Sequence, residues 1–375
     1  MTLSTELAEW SKERVQDLIA EATPADVDRA MACGERSLYD LAALLSPHAR
    51  ARLEEIAREA QRLTRHHFGR TVSLYVPIYL SNVCGSDCVY CGFSPKSGER
   101  GKRVTLGLDK LRDECIALAR RGFQSVLLLT GDAPKVAPVE YIAEAISISR
   151  EFFPSVSVEV YAMDEDDYRL LSDRGLEGMT LYMETFDRDT YSQVHLSGPK
   201  RDYDYRLDSH ERAGRAGVRK LTLGVLLGLF DWRVDTFWLA IQARYLQRHC
   251  WQSAVSISFP RLRHVPSRFR IPSVLSDADL VQQMLALRLF LPEAGFNLST
   301  REPAEFRDHL IPLGITSMSA GSSTRPGGYA TYGTHTLEQF EIEDYRSPGE
   351  VVDAIRRAGY DPVWKDFDLA FDEVS

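Results

Sequence analysis

The sequence predicts an α/β protein: a closed (β/α)8 barrel of the TIM type, with a helical N-terminal extension and a short C-terminal extension. Three observations lead there. From residue 71 onward, strand-like segments alternate with amphipathic helices, which implies a parallel sheet. Eight such strands can be read, the number that closes a barrel of this type. The 375 residues are 44% hydrophobic and 26% charged, ordinary for a globular chain with a large core. A six-stranded partial barrel is the architectural alternative.

The elements follow in order. Residues 1–70 read as helices. Thr23 before Pro24 and Ser46 before Pro47 place an N-cap ahead of a proline at the first helical position. Leu53, Ile56, Ala60 and Leu63 form a helical stripe. Strands are expected at Ser73–Leu80, Ser125–Thr130, Ser157–Tyr161, Met179–Met183, Lys220–Val225, Val255–Phe259, Phe296–Ser299 and Ile315–Met318. Leu108, Leu111, Cys115 and Leu118 mark one intervening helix. Val234, Phe237, Trp238 and Ile241 mark another, and Val281, Leu285 and Leu289 a third. Gly122, Gly175, Gly217 and Gly295 stand between a helix and the next strand, as C-cap glycines do. Residues 320–347 read as loop, and a helix is expected at Pro348–Ala358. The division is therefore 1–70, a helical extension; 71–319, the barrel; and 320–375, a loop and helix packed on it.

Composition excludes several functions. The net charge is −9, whereas a dedicated nucleic-acid surface is basic. No apolar run approaches the ~20 residues that span a bilayer. Met1 to Trp10 lacks a basic flank followed by an apolar stretch, so no signal peptide is evident, and the expected location is the cytoplasm. No H-E-x-x-H, G-x-S-x-G or P-loop motif supports a hydrolase or ATPase. The nine histidines are dispersed; His195 and His264 lie near motif-rich loops and read as structural.

Three of the six cysteines fall in Cys84-Gly-Ser-Asp-Cys88-Val-Tyr-Cys91. This spacing, C-x3-C-x2-C, is that of a ligand set in a reducing compartment rather than a disulfide framework. It follows the first barrel strand, at the end where barrel active sites lie. Three thiolates on one loop can each bind one iron of a [4Fe–4S] cube, leaving the fourth iron open. A structural zinc site is the alternative, with His66 and His67 the nearest fourth ligands. Cys33, Cys115 and Cys250 read as incidental thiols.

The cysteine motif, with Tyr90 before its last member, resembles the radical S-adenosylmethionine superfamily. The later segments Val76–Asn82, Phe259–Arg263, Leu298–Glu302, Ser319–Ser322, Pro326–Tyr329 and Val363–Asp366 are similar to the 2-iminoacetate synthase family, the tyrosine lyases of bacterial thiazole and thiamine biosynthesis. The resemblance spans essentially the whole chain.

It implies the following site. Cys84, Cys88 and Cys91 bind the [4Fe–4S] cluster, and Tyr90 lies beside the cofactor S-adenosylmethionine. Thr130, Gly131 and Asp132 hold its methionyl amine, with Asp132 where the family more often has Glu. Glu159 and Tyr161 at the end of the third strand and Glu184 after the fourth are further candidates: a carboxylate there can accept ribose hydroxyls or a substrate ammonium proton, and the resemblance favours Glu184 for the cofactor ribose and Arg206 for the cofactor carboxylate. Met183 stands where many relatives carry Gln. Arg301, assisted by Tyr79 and Ser319, anchors the substrate carboxylate. Ser256, Ser258 and Arg261 are weaker candidates, and Pro326–Tyr329 reads as a lid or a turn.

The implied reaction is radical cleavage of the Cα–Cβ bond of L-tyrosine after hydrogen removal at its amino nitrogen. The products are p-cresol and 2-iminoacetate (dehydroglycine). The implied partners are a flavodoxin-type electron donor and a thiazole synthase that receives the unstable imine. Lyases acting on another aromatic amino acid, such as tryptophan, share much of this pattern. A related maturase that breaks tyrosine down further carries a second cluster on late cysteines; here the last cysteine is Cys250. A non-catalytic metal-binding barrel is the reading from a different class.

Overall fold

The computed structural model describes residues 2–99, 101–263, 265–266, 268–332 and 336–364. His264, Lys365, Asp366 and the end of the proposed C-terminal extension lie outside the described residues.

Eight parallel strands close a barrel: β1 (Thr71–Ser81), β2 (Ser125–Thr130), β3 (Ser155–Glu159), β4 (Gly178–Thr180), β5 (Lys220–Gly224), β6 (Ala254–Ser258), β7 (Gly295–Leu298) and β8 (Ser317–Ser319). Each pairs with the next, and β1 pairs with both β2 and β8, which completes the ring. The partial-barrel alternative is thereby excluded. All eight expected strands are present, with ends shifted by a few residues. The β4 ladder stops at Thr180, three residues short of the expected end. The chain then turns at Glu184, the one non-glycine residue with positive φ (69°) among the described residues.

A short ninth strand, β9 (Asp361–Val363), was not expected. It pairs in parallel with Thr71–Ser73 at the start of β1. Strand β1 has eleven residues and pairs with β2 only from Val76 onward, so its start is left as an edge for β9.

Helices cover the outside of the barrel. Gly122, Gly175 and Gly217 take positive φ (87°, 93° and 89°), as a helix-ending glycine does. Gly295 does not. It opens β7, where a Cβ would stand 2.5 Å from the Ser256 hydroxyl, so close packing and not capping requires glycine there.

The first 70 residues form six helices, ending with Leu53–Phe68. The Thr23 cap is a capping box with Asp26, and Ser46 caps the short helix Pro47–Arg50. Ile56, Ala60 and Leu63 are buried and Leu53 packs beside them, as the stripe predicts. These helices lie on two barrel helices, Trp232–His249 and Asp277–Phe290. Their apolar residues belong to the same continuous core.

Candidate active site at the barrel mouth

The cysteine loop leaves the C-terminal end of β1. Its fold depends on two glycines that are not its own. A Cβ on Gly131 would stand 2.3 Å from the Val83 carbonyl oxygen, and one on Gly198 would stand 2.4 Å from that of Gly85. The loops after β2 and β4 therefore press directly on the cysteine loop. Hydrogen bonds fasten them: Gly85 N–H donates to the Asp132 carbonyl (2.8 Å), and Lys200 N–H donates to the Ser86 hydroxyl (3.1 Å).

Cys84, Cys88 and Cys91 all line one cavity at the barrel mouth. All three are free thiols, and burial pushes each above its usual pKa, Cys84 to about 12. A structural zinc wants a fourth protein ligand, whereas three thiolates can each hold one iron of a cube. His66 and His67 meet edge to face at the end of helix Leu53–Phe68, just ahead of β1. They are at the opposite end of that strand from the thiols, so the zinc reading loses its fourth ligand.

The same cavity is lined by Tyr90, Thr130, Gly131, Asp132, Glu159, Glu184 and Arg206. The Tyr90 hydroxyl and His195 Nε2 are 2.8 Å apart. His195 is buried, and burial holds its pKa well below the usual value, so it backs Tyr90 as a neutral ring. Glu184 forms an ion pair with Lys200 (2.5 Å) and lies 3.8 Å from Arg206. Arg206 also donates to the Tyr182 carbonyl (2.7 Å). Asp132 accepts from Ser86 (3.2 Å). The Thr130 hydroxyl is buried with no hydrogen-bond partner among the described residues. An unpaired hydroxyl, a glycine at van der Waals limit and two cations beside three thiols fit a polar, partly anionic cofactor bound next to a cluster.

Below this cavity lies a second, deeper one inside the barrel. Tyr79, Leu129, Glu159, Tyr182, Arg301 and Phe340 line both. Register explains part of this. Tyr79 pairs with Leu129, and Leu129 with Glu159, so β1, β2 and β3 contribute one row across the lumen. Arg301, just past β7, lies with its guanidinium 3.4 Å over the Phe340 ring. Tyr79 donates to Gln339 (2.6 Å). Ser319 lines the lower lumen and accepts from Thr300 N–H (3.1 Å). Ser258 lies there too, and Ser256 lies lower still, at the barrel floor.

Two expected residues stand elsewhere. Tyr161 donates to the Ala137 carbonyl (2.8 Å) and packs in the main core; it does not reach the cavity. Arg261 is buried in ion pairs with Glu302 (2.5 Å) and Asp277 (2.7 Å), which makes it a tie between segments.

Sequence reasoning missed Lys200, Tyr182, Gln339 and Phe340. The last two come from the loop region after β8, where residues 337–340 lie at the mouth. Asn82 donates to the Leu337 carbonyl (3.0 Å), and Gly92 N–H donates to that of Gln339 (3.3 Å). Pro326–Tyr329 is pinned and not a free turn: the Tyr329 hydroxyl donates to the Pro77 carbonyl (2.7 Å). Three successive N–H groups, of Tyr329, Ala330 and Thr331, donate to the buried Glu114 carboxylate.

Comparison with known proteins adds the following. Residues 78–240 match the Radical SAM superfamily, and residues 258–361 match the Biotin and Thiamin Synthesis associated domain. The chain is 45% identical over 361 residues to the 2-iminoacetate synthase of Salmonella typhimurium, covering 96% of this chain and 94% of that protein. It is 44% identical, over the same shares, to the 2-iminoacetate synthase of Escherichia coli. Among solved structures, HydG, a maturase of the FeFe-hydrogenase, matches with a TM-score of 0.88 at 31% identity. That match covers 95% of this chain and 80% of HydG.

Proposed function

The chain belongs to the 2-iminoacetate synthase family, and from that premise we propose how its barrel mouth works. It is a radical S-adenosylmethionine lyase that cleaves the Cα–Cβ bond of L-tyrosine to 2-iminoacetate and p-cresol for thiamine biosynthesis. Its cofactors are a [4Fe–4S] cluster and S-adenosylmethionine. When bound and reduced, they supply a carbon radical that removes a hydrogen atom from the substrate.

The chain's own residues bind, orient and shield. Cys84, Cys88 and Cys91 hold the cluster. Thr130 and Gly131 offer a hydroxyl and a close backbone to the cofactor amine, and Arg206 and Lys200 offer cations to its carboxylate. Glu184 is held by Lys200 for the ribose hydroxyls. Arg301 binds the substrate carboxylate through its fork of donors, with Tyr79 and Ser319 shaping that end of the lumen. Phe93, Leu262 and Phe340 keep water from the reacting atoms.

One observation carries this reading. The thiol cavity and the deeper lumen share Tyr79, Glu159 and Arg301, so an amino-acid head group bound there sits against the cofactor. Residues 71–319 form the catalytic barrel in this reading, with 1–70 as its buttress and 320–375 as a loop and helix packed on it, of which Leu337, Gln339 and Phe340 lie at the mouth. A flavodoxin-type protein supplies the electron, and thiazole synthase receives the imine, in the cytoplasm. Among the described residues, no helix is long and apolar enough to cross a membrane.

The test is anaerobic. The protein is reconstituted with iron and sulfide, then given reductant, S-adenosylmethionine and tyrosine. p-Cresol with 5′-deoxyadenosine is the expected result, and both vanish in Cys84→Ala. 5′-Deoxyadenosine without p-cresol sinks the substrate assignment and moves the assay to tryptophan. Neither product from a protein with a full cluster sinks the enzymatic reading.

A further inference from the structure

Three carboxylates line the thiol cavity: Asp132, Glu159 and Glu184. Two are engaged. Asp132 is bonded to Ser86 and Glu184 to Lys200. Glu159 has no hydrogen-bonding partner among the described residues. It stands at the end of β3, in the row with Leu129 and Tyr79, and it faces both the cofactor cavity and the lumen below.

An α-amino acid presents a carboxylate and an ammonium group on the same carbon. A site for its head group therefore needs a cation and an anion that open on the same space. Arg301 is the cation at the junction of the two cavities. Glu159 is the unengaged anion at that junction. We infer that Glu159 holds the α-ammonium group of the substrate and takes its proton. This assigns Glu159 to the substrate and not to the cofactor ribose, and it rests on the tyrosine-lyase reading above.

The step balances simply. One ammonium N–H bond breaks, a carboxyl O–H bond forms, and the electron pair stays on nitrogen. The neutral amine then has the lone pair that stabilises a nitrogen-centred radical, which an ammonium lacks. The proton passes to solvent as products leave. The surroundings suit the task. Burial raises Glu159 to about 7; Arg301 pulls it down, Glu184 pushes it up, and Lys200 and Arg206 pull it down. The other groups facing it, Tyr75, Tyr79 and Tyr182, are kept neutral by burial. A base poised near neutrality is what general base catalysis favours.

The experiment compares tyrosine with 3-(4-hydroxyphenyl)propionate, which lacks the amine, for binding to reconstituted protein with S-adenosylmethionine, by calorimetry. Wild type should prefer tyrosine by about 10- to 100-fold, as a charge-assisted contact warrants. In Glu159→Gln the preference should fall to about 2-fold or less, with S-adenosylmethionine affinity unchanged, and p-cresol formation should drop about 100-fold. The acid limb of kcat/KM, rising through about pH 7 in wild type, should vanish. Glu159→Asp should restore part of the preference, which separates recognition from misfolding. If Glu159→Gln keeps the preference, or loses S-adenosylmethionine affinity instead, the inference falls while the lyase reading stands. If wild type makes no p-cresol, both fall together.

Discussion

At the scale of single residues, Arg301 offers the clearest test of substrate anchoring. Its guanidinium stands over the Phe340 ring, which leaves its fork of donors for a carboxylate. Arg301→Lys keeps the charge and loses the fork. The KM for tyrosine should rise about 10- to 100-fold, while uncoupled 5′-deoxyadenosine formation persists. An unchanged KM would remove Arg301 from the substrate. Much of the site at this scale was legible in the sequence. Cys84, Cys88, Cys91 and Gly131 announce themselves by spacing and by the need for a missing Cβ. Tyr161 misled for a physical reason. It shares the parity of Glu159, but β3 ends at Glu159, and alternation carries no information once a strand has ended. Lys200 carried no pattern: it lies on a short 3-10 turn, Pro199–Arg201, and only the folded loop brings it to Glu184.

At the scale of elements, the eight barrel strands were legible because short β-branched and apolar segments such as Ser-Val-Leu-Leu-Leu-Thr and Ala-Val-Ser-Ile-Ser alternate with amphipathic helices. Strand β9 was not. It is Asp-Pro-Val, with no alternation and a proline, and it exists because β1 leaves an edge. The bend after β4 depends on Asp235, in the helix Trp232–His249. Its carboxyl accepts from Phe186 N–H (2.8 Å) and the Thr185 hydroxyl (3.1 Å). Burial raises it from 3.8 to about 8. A carboxyl that holds its proton in the fold and loses it in the unfolded chain favours folding fully below the unfolded pKa. That contribution fades as pH rises through the folded one. Asp235→Asn keeps an acceptor and removes the titration. The melting temperature of the variant, relative to wild type, should therefore climb between about pH 4 and pH 8 and then level off. A difference that stays flat across that range would show that Asp235 is ionised in the fold.

At the scale of the whole molecule, the N-terminal helices are structural to the barrel. Trp238 donates to the Trp10 carbonyl (2.8 Å) and Arg36 to that of Leu289 (3.0 Å). The buried Gln282 amide donates to both Leu44 (3.1 Å) and Ser46 (2.9 Å) carbonyls. Removing residues 1–70 would leave the Trp238 and Gln282 donors, the Leu289 carbonyl and the apolar faces around them uncovered. The full chain should melt in one calorimetric transition, and the truncated chain should aggregate or lose cooperative unfolding. A soluble, cooperatively melting truncation would mean the barrel folds by itself. At this scale the sequence told less, because the mouth is assembled from segments far apart in the chain. The contacts of Asn82 with Leu337 and of Gly92 with Gln339 have no local signature at either end. They also impose an order on biosynthesis. The cysteines leave the ribosome long before the segment that covers them has been translated. A nascent chain therefore presents its thiols without the cover that Leu337 and Gln339 later provide.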